Sequence, residues 1–309
     1  MEVRRIIDFD WKRFFAGLYD KSIDTDIFSR AAQVAFYFSF SLFPLLFFLI
    51  SLFGIVLGTT EGLKAELFAY IRQIMPASAF ELVRKTVEEI VESSSSGKLT
   101  IGLAITLWSA SAGIDSVRTA LNAVYGLRET RWWTKTKAQS LVITLLLIVL
   151  VAGVMAIVFY GWQAYQIALG YIGLRVTSPL VLVSIQWITI LIVLLFACEV
   201  VYNLLPNFKE YRWEWVTPGS IVAILLWLLL TRGFGLYLQY FDSYNKAYGS
   251  LGAVIILMLW LYLTSIVIMV GGVINAVLRE MRDDREAAIV DISAEESVES
   301  IEPDDETIH

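Results

Sequence analysis

The sequence predicts an all-α, polytopic integral membrane protein with six transmembrane helices and both termini in the cytoplasm. Three observations carry this expectation. Apolar residues make up 57% of the 309 positions, against roughly 45–50% in soluble domains. They fall into long runs without charge, and in lipid only a helix satisfies its own backbone over such a run. Lys and Arg gather at alternate ends of these runs, which orients them.

A spanning helix needs about 20 mainly apolar residues. The first is expected over 33–58, inside the uncharged run Ala31 to Thr60. The second, 99–120, is apolar as far as Asp115. The third, 139–161, starts in an uncharged stretch that continues to Leu174, so an interfacial segment follows it. The fourth is expected over 180–204, the fifth over 216–240, extending past Arg232, and the sixth over 249–278. Together they make a membrane domain over 31–282.

Orientation follows from the flanking charges. Arg4, Arg5, Lys12, Arg13, Lys21 and Arg30 lie in the N-terminal segment, 1–30. Arg128, Arg131, Lys135 and Lys137 follow the second span, Lys209 and Arg212 the fourth, and Arg279, Arg282 and Arg285 the sixth. The short opposite loops carry only Arg175, or Arg232 with Lys246; the long loop between the first two spans has five basic residues, but also Glu61, Glu66, Glu81, Glu88, Glu89 and Glu92. Between the first two spans, apolar residues recur at helical spacing on either side of Pro76, which predicts an extracytoplasmic amphipathic helical hairpin over 61–92. Residues 283–309 are acidic and read as a disordered cytoplasmic tail. The N-terminus has no apolar core followed by a cleavage site, so no cleaved signal peptide is expected. Cys198 is the one cysteine and reads as a small hydrophobe within a span.

Polar residues inside or beside the spans are the candidate functional groups, because ionisable side chains in lipid are costly. Asp115 and Arg118 are three apart and share a helix face; a structural ion pair is the competing reading. Glu199 lies at matching depth in the fourth span and is expected to face Arg118 or the loop cations. Arg232 is placed to meet an anionic headgroup or to snorkel outward. Tyr244, Asn245 and Tyr248 lead into the last span as a gate or headgroup contact, or as a turn with tyrosine anchors. Pro44 interrupts the backbone bonding of the first span and is the candidate hinge, unless the kink is static.

The remaining composition points away from soluble chemistry. The single histidine is the terminal His309, and no metal-ligand spacing or phosphate-cradling glycine motif occurs. No cofactor and no metal is expected. Arg128, Arg131, Trp132, Trp133, Lys135 and Lys137 read as an inner charge cluster with an aromatic belt, attracted to anionic lipids, and not as a nucleic-acid surface.

Several segments together resemble one family. They are Ala31-Ala32 through Phe36-Tyr37 to Ser41-Leu42-Phe43-Pro44-Leu45-Leu46, Trp108-Ser109-Ala110-Ser111, Leu121-Asn122 with Tyr125-Gly126, and Leu204-Leu205-Pro206-Asn207 with Pro218-Gly219. Tyr244-Asn245, Tyr248-Gly249-Ser250-Leu251-Gly252 and Asn275-Ala276 complete the set. In order and spacing they are similar to the YihY/BrkB family of bacterial inner-membrane proteins over about residues 10–282. That resemblance implies a six-helix inner-membrane protein. It implies no settled activity: the family once carried a ribonuclease label, now regarded as a misassignment, and also a virulence-factor label.

The expectation drawn from residues and resemblance is a transporter or flippase-like protein for a lipid-like or anionic amphipathic substrate, and not an enzyme. Asp115 and Glu199 would couple protons or cations, and Arg118 and Arg232 would meet the anionic group. The rival is a non-transporting scaffold of envelope assembly; a membrane-associated ribonuclease is the remote alternative. Membrane lipids are the expected partners, with a second copy of the chain or an envelope protein left open.

Overall fold

A computed structural model describes residues 9–57, 97–171, 179–209, 213–240 and 250–299. The expected hairpin over 61–92, the segment bearing Tyr244, Asn245 and Tyr248, and residues 300–309 lie outside them. Every described element is a helix, with no strand among the described residues. The helices are α1 (Trp11–Asp24), α2 (Ile27–Leu57), α3 (Gly97–Val124), α4 (Trp133–Tyr171), α5 (Pro179–Leu204), α6 (Pro218–Tyr240) and α7 (Ser250–Glu299).

Each of the six apolar runs holds a helix, α2 to α7, and every one but α6 reaches past at least one expected end. At 1.5 Å per residue α6, with 23 residues, is about 35 Å long, close to the ~30 Å hydrocarbon core of a bilayer. Among the described residues four helices are long and apolar enough to cross a membrane, with spans over Trp133–Val158, Val183–Leu204, Pro218–Leu238 and Val254–Val290.

Two local expectations are corrected, and one helix is added to the expected set. The stretch after 161 is not a separate interfacial segment: α4 runs unbroken to Tyr171, because no proline or charge stops it. Residues 283–299 are not a disordered tail but continue α7. Their Ala, Glu and Arg are good helix formers, so an acidic composition does not end the helix. The N-terminal segment holds α1, which begins where the Asp10 carboxylate accepts the Arg13 amide at 3.0 Å, a side-chain N-cap.

The six long helices close a ring in chain order. α2 packs on α3, α3 on α4, α4 on α5, α5 on α6, α6 on α7, and α7 returns to α2 while also touching α3. α1 lies against the outer part of α7, tied by ion pairs from Arg13 to Asp284 and from Lys21 to Glu280. The turn between α1 and α2 places Asp26 at φ 48°, a left-handed conformation that aspartate tolerates. The core contains Val34, Leu121, Ile143, Leu205, Met269 and Val273.

The outer surface of the ring is apolar. Val142, Val149, Ile188, Ile192, Leu225 and Leu229 are all exposed, Leu229 at 70%. A soluble monomer rarely exposes so large a contiguous apolar surface, and a bilayer is the solvent that accepts it.

Candidate functional site

Polar side chains concentrate at one end of the ring, where α3 and α5 finish, α4 and α6 begin and the middle of α7 passes. Two networks and a cavity form there.

The first network joins α3 to α4. Ser111, Asp115 and Arg118 repeat at spacings of four and three and so line one helix face. Lys137 and Ser140 oppose them from the first turns of α4. Ser140 Oγ donates to Asp115 Oδ1 at 2.6 Å and Lys137 Nζ to Asp115 Oδ2 at 2.8 Å. Arg118 Nη1 lies 3.1 Å from Oδ1. One carboxylate thus serves two cations. Lys137 also donates to Ser111 Oγ at 2.6 Å and sits 4.6 Å above the Trp108 ring, a favourable cation–π position. Arg118 reaches on to the Thr136 carbonyl at 3.0 Å and to Glu129 at 3.6 Å.

Glu129 organises the α3–α4 turn. It takes a bidentate pair of bonds from Arg131 Nε and Nη2, both 2.7 Å, and one from Asn122 Nδ2 at 3.1 Å. The bonds from Arg131 hold its carboxyl below the ordinary value. Arg131 also donates to the Leu205 carbonyl at 3.0 Å, and Gln139 Nε2 to the Leu204 carbonyl. These bonds satisfy carbonyls that the end of α5 leaves without helical partners. Asn207 closes the junction, its amide donating to Asn122 Oδ1 at 2.8 Å.

The second network surrounds Glu199, which is 1% exposed. Thr217-Pro218-Gly219-Ser220 is a helix-start sequence, with threonine as N-cap and proline in the first turn. Ser220 N donates to Thr217 Oγ1 at 3.3 Å. Glu199 lies just ahead of this terminus. Its Oε1 accepts the Thr217 amide at 2.7 Å, the Thr217 hydroxyl at 3.1 Å and the Ser220 hydroxyl at 2.5 Å. Its Oε2 accepts Asn203 Nδ2 at 3.0 Å. An anion here is favoured by the aligned peptide dipoles of α6. Asn275 completes the cap from α7, accepting the Gly219 amide at 2.8 Å and donating to Thr217 Oγ1 at 3.0 Å.

The α6–α7 crossing beside it admits no side chain. A Cβ on Gly219 would lie 2.1 Å from the Gly271 carbonyl oxygen, and one on Gly271 would lie 2.2 Å from Tyr202 Oη. Only glycine allows backbones this close.

A cavity of about 270 Å³ opens beside this crossing, bounded among others by Tyr125, Phe208, Glu214, Arg279 and Arg282. Arg282 Nη1 pairs with Glu214 Oε1 at 2.7 Å. The Arg279 guanidinium lies 4.2 Å above the Phe208 ring, whose other neighbour is Tyr125 at 5.0 Å between centroids. Burial pushes the Tyr125 phenol well above its ordinary range, so it stays protonated. A second, apolar cavity of about 540 Å³ lies further along the α6–α7 seam, between Phe234, Leu238, Leu257 and Trp260.

The structure brings Asp115 and Arg118 together, as their spacing implied. It does not bring Glu199 to Arg118; Glu199 turns to the start of α6 instead, where four neutral groups donate hydrogen bonds to its carboxylate. Arg232 is exposed on α6, away from both networks. Pro44 sits within α2, which runs through it as continuous helix. Nearby, Ser39 Oγ donates to the Phe36 carbonyl and Ser41 Oγ accepts the Gly113 amide at 2.9 Å. Sequence reasoning missed Lys137 as a partner of Asp115, and missed Asn203, Thr217, Asn275 and Arg279. Thr217-Pro218-Gly219-Ser220 was the readable signal, since a helix-start sequence beside a buried acid implies a capped terminus.

A profile of the family described as virulence factor BrkB matches residues 18–291. The chain belongs to the virulence factor BrkB family. Like its relatives named as membrane proteins, this BrkB-family protein is a membrane protein. A Bacillus subtilis (strain 168) protein described as ribonuclease-like, YfkH, is 30% identical over 254 residues, which cover 82% of this chain and 90% of YfkH. A UPF0761 membrane protein of Idiomarina loihiensis is 27% identical over 224 residues, 71% of this chain and 73% of its own length. Another, from Vibrio campbellii, is 26% identical over 269 residues, 86% and 82% of the two chains. No solved structure matches the chain. Among the described residues of the BrkB-family protein, no three His, Cys, Asp or Glu side chains group to hold a metal ion.

Proposed function

We propose that this BrkB-family protein is a multi-pass inner-membrane transporter, of the flippase kind, for an anionic amphipathic or lipid-like molecule. In this reading all six long helices cross the bilayer, both termini are cytoplasmic, and the polar end of the ring faces the cytoplasm. The supporting observation is the α6–α7 seam. It carries a basic, aromatic cavity at one end and an open apolar cavity about 16 residues away along α6. An amphiphile has a charged end and an apolar end in the same order.

Roles follow from position. Asp115 and Glu199 are the candidates for proton or cation coupling. Arg118 and Arg232 are candidates for contact with the anionic group, with Tyr244, Asn245 and Tyr248 on the opposite side and Pro44 as hinge. No enzymatic step enters the reading. The test is leaflet exchange of a fluorescent anionic phospholipid in liposomes holding the purified protein. Exchange above that of protein-free liposomes, reduced by Asp115→Asn with Arg118→Gln, is the expected result; exchange at the empty-liposome rate would sink the flippase reading.

One observation favours a scaffold instead. α7 has 50 residues, about 75 Å of helix, and its charged last turns extend past the ring as a docking arm. Deleting residues 287–309 abolishes function under that alternative and spares lipid exchange under the first.

A further inference from the structure

The cavity at the start of α6 carries an unbalanced charge. Among the groups bounding it, Arg279 and Arg282 are positive and Glu214 negative. The Arg282–Glu214 pair at 2.7 Å neutralises itself, which leaves Arg279. Its guanidinium has no hydrogen bond or ion pair within the described residues; its partner is the Phe208 ring, 4.2 Å below. It is partly buried, and a charge withdrawn from water calls for an anion.

The geometry says which kind. The Phe208 ring covers one side of the guanidinium at 4.2 Å, while its N–H groups, which bond to no described residue, remain available. Such a fork matches the paired oxygens of a phosphate or carboxylate better than an ammonium does. The Tyr125 hydroxyl stands on the same wall, kept protonated by burial, so no second anion opposes the ligand there. Glu214 is held off by Arg282. The volume, about 270 Å³, falls just below the range of roughly 300–1,000 Å³ that houses drug-sized ligands, and suits a single headgroup. The exposed Trp132, Trp133 and Trp215 ring the same end, and tryptophan at a bundle end marks the headgroup layer. The anion of that layer is phosphate.

We infer that this cavity is a phosphate-binding site in which Arg279, set against the Phe208 ring, clamps a phosphate mono- or diester. The inference deepens the amphiphile reading above and rests on it for the ligand's apolar part; binding of the headgroup can be measured without transport.

The experiment uses the full chain purified in an uncharged detergent. Its thermal unfolding midpoint is followed against dioctanoyl phosphatidylglycerol, glycerol 3-phosphate, inorganic phosphate and sodium octanoate. The phosphate-bearing lipid is expected to raise the midpoint in a saturable way. Arg279→Gln is expected to weaken that binding at least tenfold, Arg279→Lys by less, and the exposed Lys12→Gln not at all. A rise with the lipid alone identifies a headgroup as the source, and one with glycerol 3-phosphate or phosphate as well identifies a soluble phosphate ester. Octanoate raising the midpoint as much as the phosphate probes overturns the assignment, as does wild-type protein blind to every phosphate probe. Lipid binding equal in Lys12→Gln and Arg279→Gln also overturns it. Phosphate binding without leaflet exchange leaves the site standing and removes the transporter; exchange without phosphate binding does the reverse. The wild-type titration decides the matter even where a variant fails to fold.

Discussion

The Glu199 carboxylate on α5 accepts the Ser220 hydroxyl on α6 at 2.5 Å, within a cap that α7 completes through Asn275. Three helices are joined by one buried acid. Glu199→Ala leaves the Thr217 amide, two hydroxyls and the Asn203 amide group without their acceptor. Each unsatisfied buried donor costs about 1–3 kcal/mol. The expected outcome is a loss of at least about 3 kcal/mol, visible as a collapse of the unfolding midpoint in detergent. Glu199→Gln retains one acceptor oxygen but turns an NH2 group toward Asn203, and is expected to lose less. A Gln variant of wild-type stability that has lost ion-dependent transport would show instead that Glu199 acts as a coupling group.

Asp115 is the common anion for Lys137 and Arg118. Asp115→Asn leaves two cations close together with no charge between them. The aspartate is partly exposed, at 24%, so screening reduces the effect below the 3–5 kcal/mol of a fully buried pair. A loss of about 1–2 kcal/mol is expected, partly restored when Lys137→Met is added. A double-mutant cycle on unfolding midpoints measures the coupling; strict additivity would mean that the pair contributes no energy.

Glu129 is held below its ordinary pKa of 4.5 by Arg131. A depressed carboxylate stabilises the folded state above the unfolded pKa and loses that contribution as pH falls through the folded value. Stability of the wild type is therefore expected to fall below about pH 4.5, more steeply than in Glu129→Gln. Unfolding midpoints between pH 3 and 6 check this, and parallel curves for the two proteins would contradict it.

The crossing of α6 and α7 predicts a sharp contrast among glycines. Gly271→Ala places a methyl 2.2 Å from Tyr202 Oη and 2.8 Å from the Gly219 carbonyl oxygen, and overpacking of this kind costs about 1–3 kcal/mol or more. Gly153→Ala meets nothing within 4 Å and gains helix propensity. The first is expected to lower the yield of folded protein and the second to leave it unchanged or higher, as read by size-exclusion profiles in detergent.

These contrasts also show what a sequence without coordinates can reveal. The long helices were legible because uncharged runs have one solution in lipid. Which face of each helix turns inward was not, because lipid removes the contrast between surface and core: Leu225 and Leu229 outside are as apolar as Leu121 and Leu205 inside. α1 escaped notice because Lys12, Arg13, Asp20 and Lys21 mask the Phe14 and Leu18 face that meets the core. The charged end of α7 was mistaken for disorder because composition alone records no helical continuity. Asp115 and Arg118 were legible as a local pair, whereas Lys137 and Asn275 reach their partners from other helices, which no local spacing reveals.

The glycine contact has a mechanical consequence. It fixes α6 to α7 at the very start of α6, while the other end of the seam holds the apolar cavity and ring contacts, with Phe234 4.9 Å from Trp260 and Trp227 6.4 Å from it. Two rods pinned at one end behave as tongs. Phe234 lies about 22 Å along α6 from Gly219, so a rotation of about 10° at the pin parts the tips by ~4 Å, wide enough for one hydrocarbon chain. Arg279, about 12 Å along α7 from Gly271, lies on the short arm beyond the pin and would move about half as far.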